Sequence, residues 1–428
     1  MNLVTLPLEI VETIILASDP IEVAQLSQTC RCLYSSVYPS SPESVLWRSL
    51  FLQQPLDDPR QCVSNIGFPR KDIDWCRELQ RIVRARTVLQ DPSLLRPNEV
   101  VDILRTLVQL VSNVPPMFNL GDDDDPSFNL AWTAAYLRKC SFLDRDFPVD
   151  PKYSEELAQL LAYLHTLYGI TRADTKPSRH VESRAYVYNL RNYRWDNEFG
   201  PFDEQGGVNW VHMQALHHVV SMHVVDVKEE LEHDRIWKYQ MSIPHTQIVI
   251  PRGLDLDETK DWAGVTGVWL VSFCFCDHRV LLAFNESGGG SESEPLDTST
   301  FERPDFVEVF RTLEIHIRVT RTLYDQRHPN RPTIYFVGAM GDPSTSTING
   351  RVQMTPDNQV QWHFVSGEQG NAIWSSEGVQ VGGIRSRFGV LGSWTTIFHD
   401  PDDPVGPFWL RKVSELEESG SGLDNPLL

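Results

Sequence analysis

Long apolar runs are missing from this 428-residue chain. No stretch approaches the ~20 consecutive apolar residues that a membrane-spanning helix needs. Basic charge is also short, with 38 Lys and Arg against 58 Asp and Glu and a formal net charge of −20. That balance excludes a sequence-independent grip on nucleic-acid phosphates or on anionic lipid, both of which need clustered Lys and Arg. An acidic chain of this kind is soluble and suits basic or neutral partners. Cysteine is scarce and odd in number, at positions 30, 32, 62, 76, 140, 274 and 276. Neither Cys30-x-Cys32 nor Cys274-x-Cys276 has the two-residue gap of zinc ribbons and thioredoxin-like sites. Free thiols in a reducing compartment are expected, with Cys274 and Cys276 packed on one face of a strand. The N-terminus lacks the basic cluster, apolar core and cleavage site of a signal peptide, so the cytosol, the nucleus or both are expected.

What is present suits globular units: 41% apolar and 22% charged residues, in a length that accommodates two or three packed units. The spacing predicts three short helices over residues 5–52. Pro7 sits just inside the first, whose Leu8, Ile10, Val11, Ile14 and Ile15 share one broad face. Ser18-Asp19-Pro20 stops it and caps the second, with Val23, Leu26, Cys30 and Leu33 at helical spacing. The third starts near Ser41-Pro42-Glu43 and carries Val45, Leu46, Trp47, Leu50 and Phe51. So small a unit cannot bury all this apolar surface alone, and some of it calls for a partner.

A loop over 53–70 leads to four further helices, over 73–90, 98–112 with Asn98 as cap, 127–140, and 154–168 with Gly169 as stop. From about 184 the composition turns toward strands. Ala185–Tyr193 reads as one, 209–232 begins as a helix, and Gly264–Phe284 reads as a β run with a turn at Asp277-His278. Further strands are expected at 313–320, 333–338, 350–355, 359–365, 372–381, 389–397 and 408–413. Eight or so short strands between Gly, Pro and Asn-rich turns predict an antiparallel barrel or sandwich. Residues 286–299 read as a flexible insert and 416–428 as a disordered tail.

The succession Leu6-Pro7-Leu8-Glu9-Ile10, Ile14-Ile15-Leu16, Asp19, Leu26, Thr29-Cys30-Arg31 and Leu46-Trp47-Arg48-Ser49-Leu50 resembles the F-box. The resemblance rests on the order and spacing of many positions across about forty-seven residues. It implies a helical unit that docks on a Skp-type adaptor and, through it, on a cullin scaffold. Leu6, Pro7, Ile10, Ile14 and Leu16 are then expected to line the adaptor contact, with Trp47 and Leu50 at its far edge. Farther along, Trp262–Trp269, Trp374–Gly383, Gly389–Trp394 and Pro404–Leu410 resemble the lipocalin-like barrel of some F-box-only proteins, which holds the substrate's degron. The layout is also similar to fungal F-box proteins with a long helical connector.

Other features carry less. His212, His217, His218, His223 and His233 fall at intervals of five, one, five and ten, so no pair has the i, i+4 spacing of a helical metal site. Gly378-x-x-x-Gly382-Gly383 lacks the Lys and Ser or Thr of a phosphate loop and reads as close backbone approach. Ser375 and Ser376 lack a Gly-x-Ser-x-Gly setting. Asp122–Asp125 lack EF-hand spacing and read as a solvated loop. The tryptophans at 262, 269, 362, 374, 394 and 409 are candidates for core or for a ligand cavity.

The expectation is therefore an α+β chain. Its divisions are an F-box at 1–52, a helical connector at 53–180, a β-barrel-like substrate domain at 181–415, and a tail. The resemblance implies a non-catalytic subunit of a Skp-cullin-F-box ubiquitin ligase, with no catalytic residue, metal or cofactor. The alternative is a small-molecule-binding barrel with the F-box as a tether, which a deep pocket favours and a side-chain-filled barrel disfavours.

Overall fold

The computed structural model of the protein describes residues 6–38, 45–119, 126–225, 239–288, 294–340, 346–368 and 370–414. A helical N-terminal region is followed by a C-terminal eight-stranded antiparallel β-barrel. Among the described residues of the first fifty-two there are four helices where three are expected: α1 (Leu8–Leu16), α2 (Pro20–Ser27), α3 (Arg31–Val37) and α4 (Val45–Leu52). Asp19 caps α2 as its sequence setting implies, accepting from Ile21 N while Glu22 reaches back to Asp19 N. The expected single helix through Leu33 breaks because two hydroxyls take the carbonyls that would continue it. Ser27 donates to Ala24 O and Thr29 to Leu26 O, and Cys30 is extended at φ −159°. The expected start at Ser41-Pro42-Glu43 lies outside the described residues.

The connector helices fall where the periodicity puts them: α5 (Trp75–Gln90), α6 (Val100–Val111), α7 (Phe128–Cys140) and α8 (Ser154–Tyr168). Gly169 ends α8 at φ +106°, a region closed to most side chains. Asn98 does not cap α6. It sits at φ +61°, one residue early, and accepts from Asp150 N instead. The buried Asp57 carboxylate accepts from Phe128 N, Asn129 N and Ser127 Oγ, so an anion closes the positive end of α7.

Two β expectations fail. Residues 177–187 form helix α9 (Pro177–Val187), and 190–192 a short 3-10 turn, where Ala185–Tyr193 reads as a strand. The buried Val181, Val187 and Tyr188 explain this, since Val181 and Tyr188 are spaced at helical period. Asn192 Nδ2 then donates to Tyr186 O and pulls the chain out of extended form. Helix α10 (Trp210–Val224) follows, capped by Asn209. The β run from Gly264 also stops early. Asp277 is a helix cap, accepting from Arg279 N, and α11 (His278–Glu286) buries Leu281 and Phe284. Of the expected insert, residues 289–293 lie outside the described residues. Its two flanks meet where Asp297 N donates to Ser287 Oγ. The expected tail lies outside them as well.

The barrel strands are β1 (Gly267–Cys276), β2 (Glu308–Leu323), β3 (Thr333–Met340), β4 (Ser346–Met354), β5 (Val360–Glu368), β6 (Asn371–Gln380), β7 (Val390–Thr396) and β8 (Gly406–Ser414). Each pairs antiparallel with the next, and β8 returns to β1 with Phe408 opposite Phe273. Closure leaves no sheet edge open to other chains. One end is filled by Trp269, Trp362, Phe336 and Phe408, all buried. Inward-facing glycines make room for them, since a Cβ on Gly350 would lie 2.4 Å from Phe336 Cζ and one on Gly378 2.7 Å from Phe408 Cζ. Gly378→Val is thus expected to cost about 1–3 kcal/mol by overpacking, read as a lowered denaturation midpoint; an unchanged midpoint would show that this floor is loosely packed. The helices and the barrel share one continuous hydrophobic cluster, running from Val11 through Leu164 and Val220 to Leu410.

Candidate functional site

The end of the barrel opposite the filled floor is open. A cavity of about 690 Å³ enters there, within the ~300–1,000 Å³ range of small-molecule pockets. Strand alternation builds it. On β1, Val271, Phe273 and Phe275 point inward, whereas Cys274 between them points outward and is buried; Cys276, at the end of the strand, is buried at the cavity mouth. Facing strands add Leu313, Phe364, Trp374, Ser376, Trp394 and Phe408. Trp374 and Trp394 meet edge to face with centroids 5.3 Å apart, and Phe364 meets Phe408 at 5.4 Å. Of the six candidate tryptophans, only Trp374 and Trp394 line this cavity. Trp269 and Trp362 belong to the floor, and Trp262 and Trp409 donate their indole N–H to Pro332 O and Phe388 O.

The rim carries exposed aromatic surface. Phe398 is 65% exposed and Trp195 75% exposed. His399 stacks on Phe199 at 3.9 Å and meets Trp195 at 5.1 Å. Ile397 N donates to Ile373 O, which fixes this loop beside the cavity wall, and His278 Nε2 bonds to Asp402 O from the other side. A contiguous exposed apolar surface of this kind marks a contact site.

At the other end of the chain, α1 has two apolar faces. Val11 and Ile15 are buried, while Ile10 is 47% and Ile14 37% exposed, with Ile21 of α2 also exposed. Pro7 is exposed as well, and Leu6 and Leu16 are half-buried. Five of the seven residues expected at an adaptor contact thus lie on or next to α1. Trp47 and Leu50 are core instead: both are buried, and Trp47 stacks on Tyr38 and donates Nε1–H to Val37 O at 2.8 Å.

The described histidines of this region bond to protein groups, and among the described residues no group of His, Cys, Asp and Glu is arranged to hold an ion. His218 Nε2 donates to Asp174 O at 3.0 Å, and burial keeps the ring neutral, so its Nδ1 accepts the Ser183 hydroxyl at 2.7 Å. His217 Nε2 donates to Met241 O, and His212 lies 3.3 Å from the Tyr193 hydroxyl. Burial pushes His217 and His218 down to about 4 and His212 down to about 3. His165 is the exception. Burial opposes its charge, but the Asp174 carboxylate 2.8 Å away outweighs that and raises it, while Asp174 is held well below the usual carboxylate range. His233 lies outside the described residues, as do Asp122–Asp125.

A pH dependence follows from these directions. Unfolded imidazoles take up protons below pH ~6.5, whereas folded His212, His217 and His218 resist until far lower. Stability is then lost as pH falls from 6.5 toward 4, by roughly 2–3 kcal/mol for each ring by pH 4.5. His165 acts in the opposite sense, losing its contribution as pH rises through its elevated folded value. The melting temperature should therefore fall steeply on acidification from neutrality, and His217→Phe should flatten the slope. A flat profile in the native chain would overturn the neutral-histidine assignment.

One other expectation agrees with the structure. Cβ atoms on Gly382 and Gly383 would lie 2.3 Å from Thr246 O and 2.4 Å from Ile248 Cβ, so these glycines serve close approach. Comparison of the chain with protein-family models, with curated proteins and with solved structures found no match.

Proposed function

We propose that this chain is the substrate-recruiting subunit of a Skp-cullin-F-box ubiquitin ligase. In this reading α1 docks on a Skp-type adaptor and the barrel presents a substrate protein. The observation that carries it is the second apolar face of α1, with Ile10 and Ile14 exposed on a helix whose Val11 and Ile15 are buried. Burying such a face against a partner gains about 25 cal/mol for each Å² of apolar surface removed from water. Leu6, Pro7, Ile10, Ile14 and Leu16 form the contact. Trp47 and Leu50 act behind it, holding α4 against the rest of the unit. The apolar rim at Trp195 and Phe398 is where a substrate would sit, and transfer chemistry comes from an E2 enzyme elsewhere. The subunit itself contributes proximity and orientation. Such a chain works in the cytosol or the nucleus.

The test is size-exclusion chromatography of the full chain mixed with a purified Skp-type adaptor. Co-elution as a 1:1 complex is expected. Separate elution at micromolar concentrations of both would sink the reading.

A further inference from the structure

The geometry points to the barrel cavity as a binding site for an anionic amphiphile, a molecule with a long apolar body and one carboxylate head. This goes beyond the ligase reading and stands whether or not the chain binds an adaptor. Three observations carry it. First, the cavity is large and built of rings: Phe273, Phe275, Phe364, Trp374, Trp394 and Phe408 line about 690 Å³. An apolar body displaces water from such walls favourably.

Second, one cation is offered at the mouth without a carboxylate partner. Arg311 is on the inward face of β2, in register with Phe273, and its guanidinium stands 5.9 Å from the Phe275 ring. It makes no ion pair among the described residues. The other charged groups at the mouth are either engaged or apart from it. Asp277 is paired with Arg279, and His278 bonds to Asp402 O. Glu368 is on β5, three strands round the barrel from β2, and makes no ion pair among the described residues. A carboxylate entering head-outward is therefore drawn to the Arg311 wall, where a guanidinium matches it with paired N–H donors.

Third, the cavity wall offers two hydroxyls that make no hydrogen bond to the described protein and open into the cavity. They belong to Ser366 and Ser376, residues 8% and 6% exposed that line the cavity and whose backbones are paired in the ladder. They lie on adjacent strands, with Ser376 opposite Phe364 and Ser366 opposite Trp374. In a wall otherwise built of rings, these two polar groups are placed for a keto or hydroxyl oxygen carried part-way along the apolar body, which replaces the water they would otherwise bond.

The experiment titrates the full chain with oleic acid and, separately, with oleyl alcohol, following tryptophan fluorescence and confirming stoichiometry by native mass spectrometry. Saturable one-to-one binding of the acid is expected, with the alcohol about tenfold weaker. Arg311→Gln should weaken the acid about tenfold and leave the alcohol unchanged. Ser376→Trp should block both by filling the cavity, with Ser366→Phe as a second blocking variant if the first does not fold. Equal affinity for acid and alcohol would overturn the anionic-head assignment. Binding that survives both blocking variants would overturn the site, placing the lipid on another apolar surface such as α1. No saturable binding would overturn the proposal entirely, and none of these outcomes depends on the adaptor.

Discussion

Glu308→Ala is expected to lower the stability of the fold by about 3–5 kcal/mol. The carboxylate is buried and has four contacts. Arg184 donates from Nε at 3.1 Å and from a terminal nitrogen at 2.9 Å, Tyr188 donates its hydroxyl at 2.7 Å, and His223 Nε2 lies at 2.7 Å. Burial by itself would raise this acid, but the His223 hydrogen bond and the Arg184 charge outweigh it and hold it below the ordinary range. Arg184 belongs to α9 and His223 to α10, so one side chain at the start of β2 ties two helices to the barrel. Alanine would strand a largely buried guanidinium, a phenol and an imidazole together. The denaturation midpoint measures the loss. A second variant separates pairing from packing: Arg184→Leu with Glu308→Leu should cost less than Glu308→Ala, because it leaves no unpaired buried charge, only the Tyr188 hydroxyl and the His223 ring without their acceptor. If the double variant costs as much as the single one, or the single costs under about 1 kcal/mol, this cluster does not tie the two halves together.

That cluster had no local signature. Glu308 follows Arg303-Pro304-Asp305 in what reads as a loop, and its partners come from more than eighty residues away. The strands were more legible, because β-branched and aromatic residues between Gly, Pro and Asn turns carry their own signal, and seven barrel strands lie where that signal puts them. Composition misled where it conflicted with period. Tyr and Val over 185–193 suit a strand, yet Val181 on α9 and Tyr188 at its C-terminal cap are buried seven apart, at helical period. Asp277-His278 reads equally as a hairpin turn and as a helix cap, and only the buried Leu281 and Phe284 decide between them. The cavity was half visible. Alternation over Phe273 and Phe275, or over Trp374 and Ser376, marks an inward face, but closure of β8 on β1 brings these faces together through register that no single segment encodes.

In the N-terminal unit, helical period separates apolar from polar positions but does not say which apolar face is left outside. Ile10, Val11, Ile14 and Ile15 look alike in the sequence, and packing alone sorts them. That sorting gives the adaptor reading its sharpest test. Ile10→Glu with Ile14→Glu is expected to weaken adaptor binding roughly 100-fold or more, equivalent to about 2.7 kcal/mol. Each substitution removes apolar contact and brings an unpaired carboxylate to a desolvated interface. Both positions are partly open to water in the free chain, so its stability should change by no more than about 0.5 kcal/mol. Trp47→Ala behaves in the opposite way. It empties a buried site, breaks the stack on Tyr38 and leaves Val37 O without its indole donor. Its expected cost is about 3–5 kcal/mol of stability, with binding lost only as far as α1 and α4 come apart. Surface plasmon resonance for affinity and chemical denaturation for stability separate the two cases. Should the double variant bind as well as the native chain, α1 is not the docking face. Should it instead unfold, Ile10 and Ile14 belong to the core, and the exposed stripe that motivates the ligase reading disappears with them.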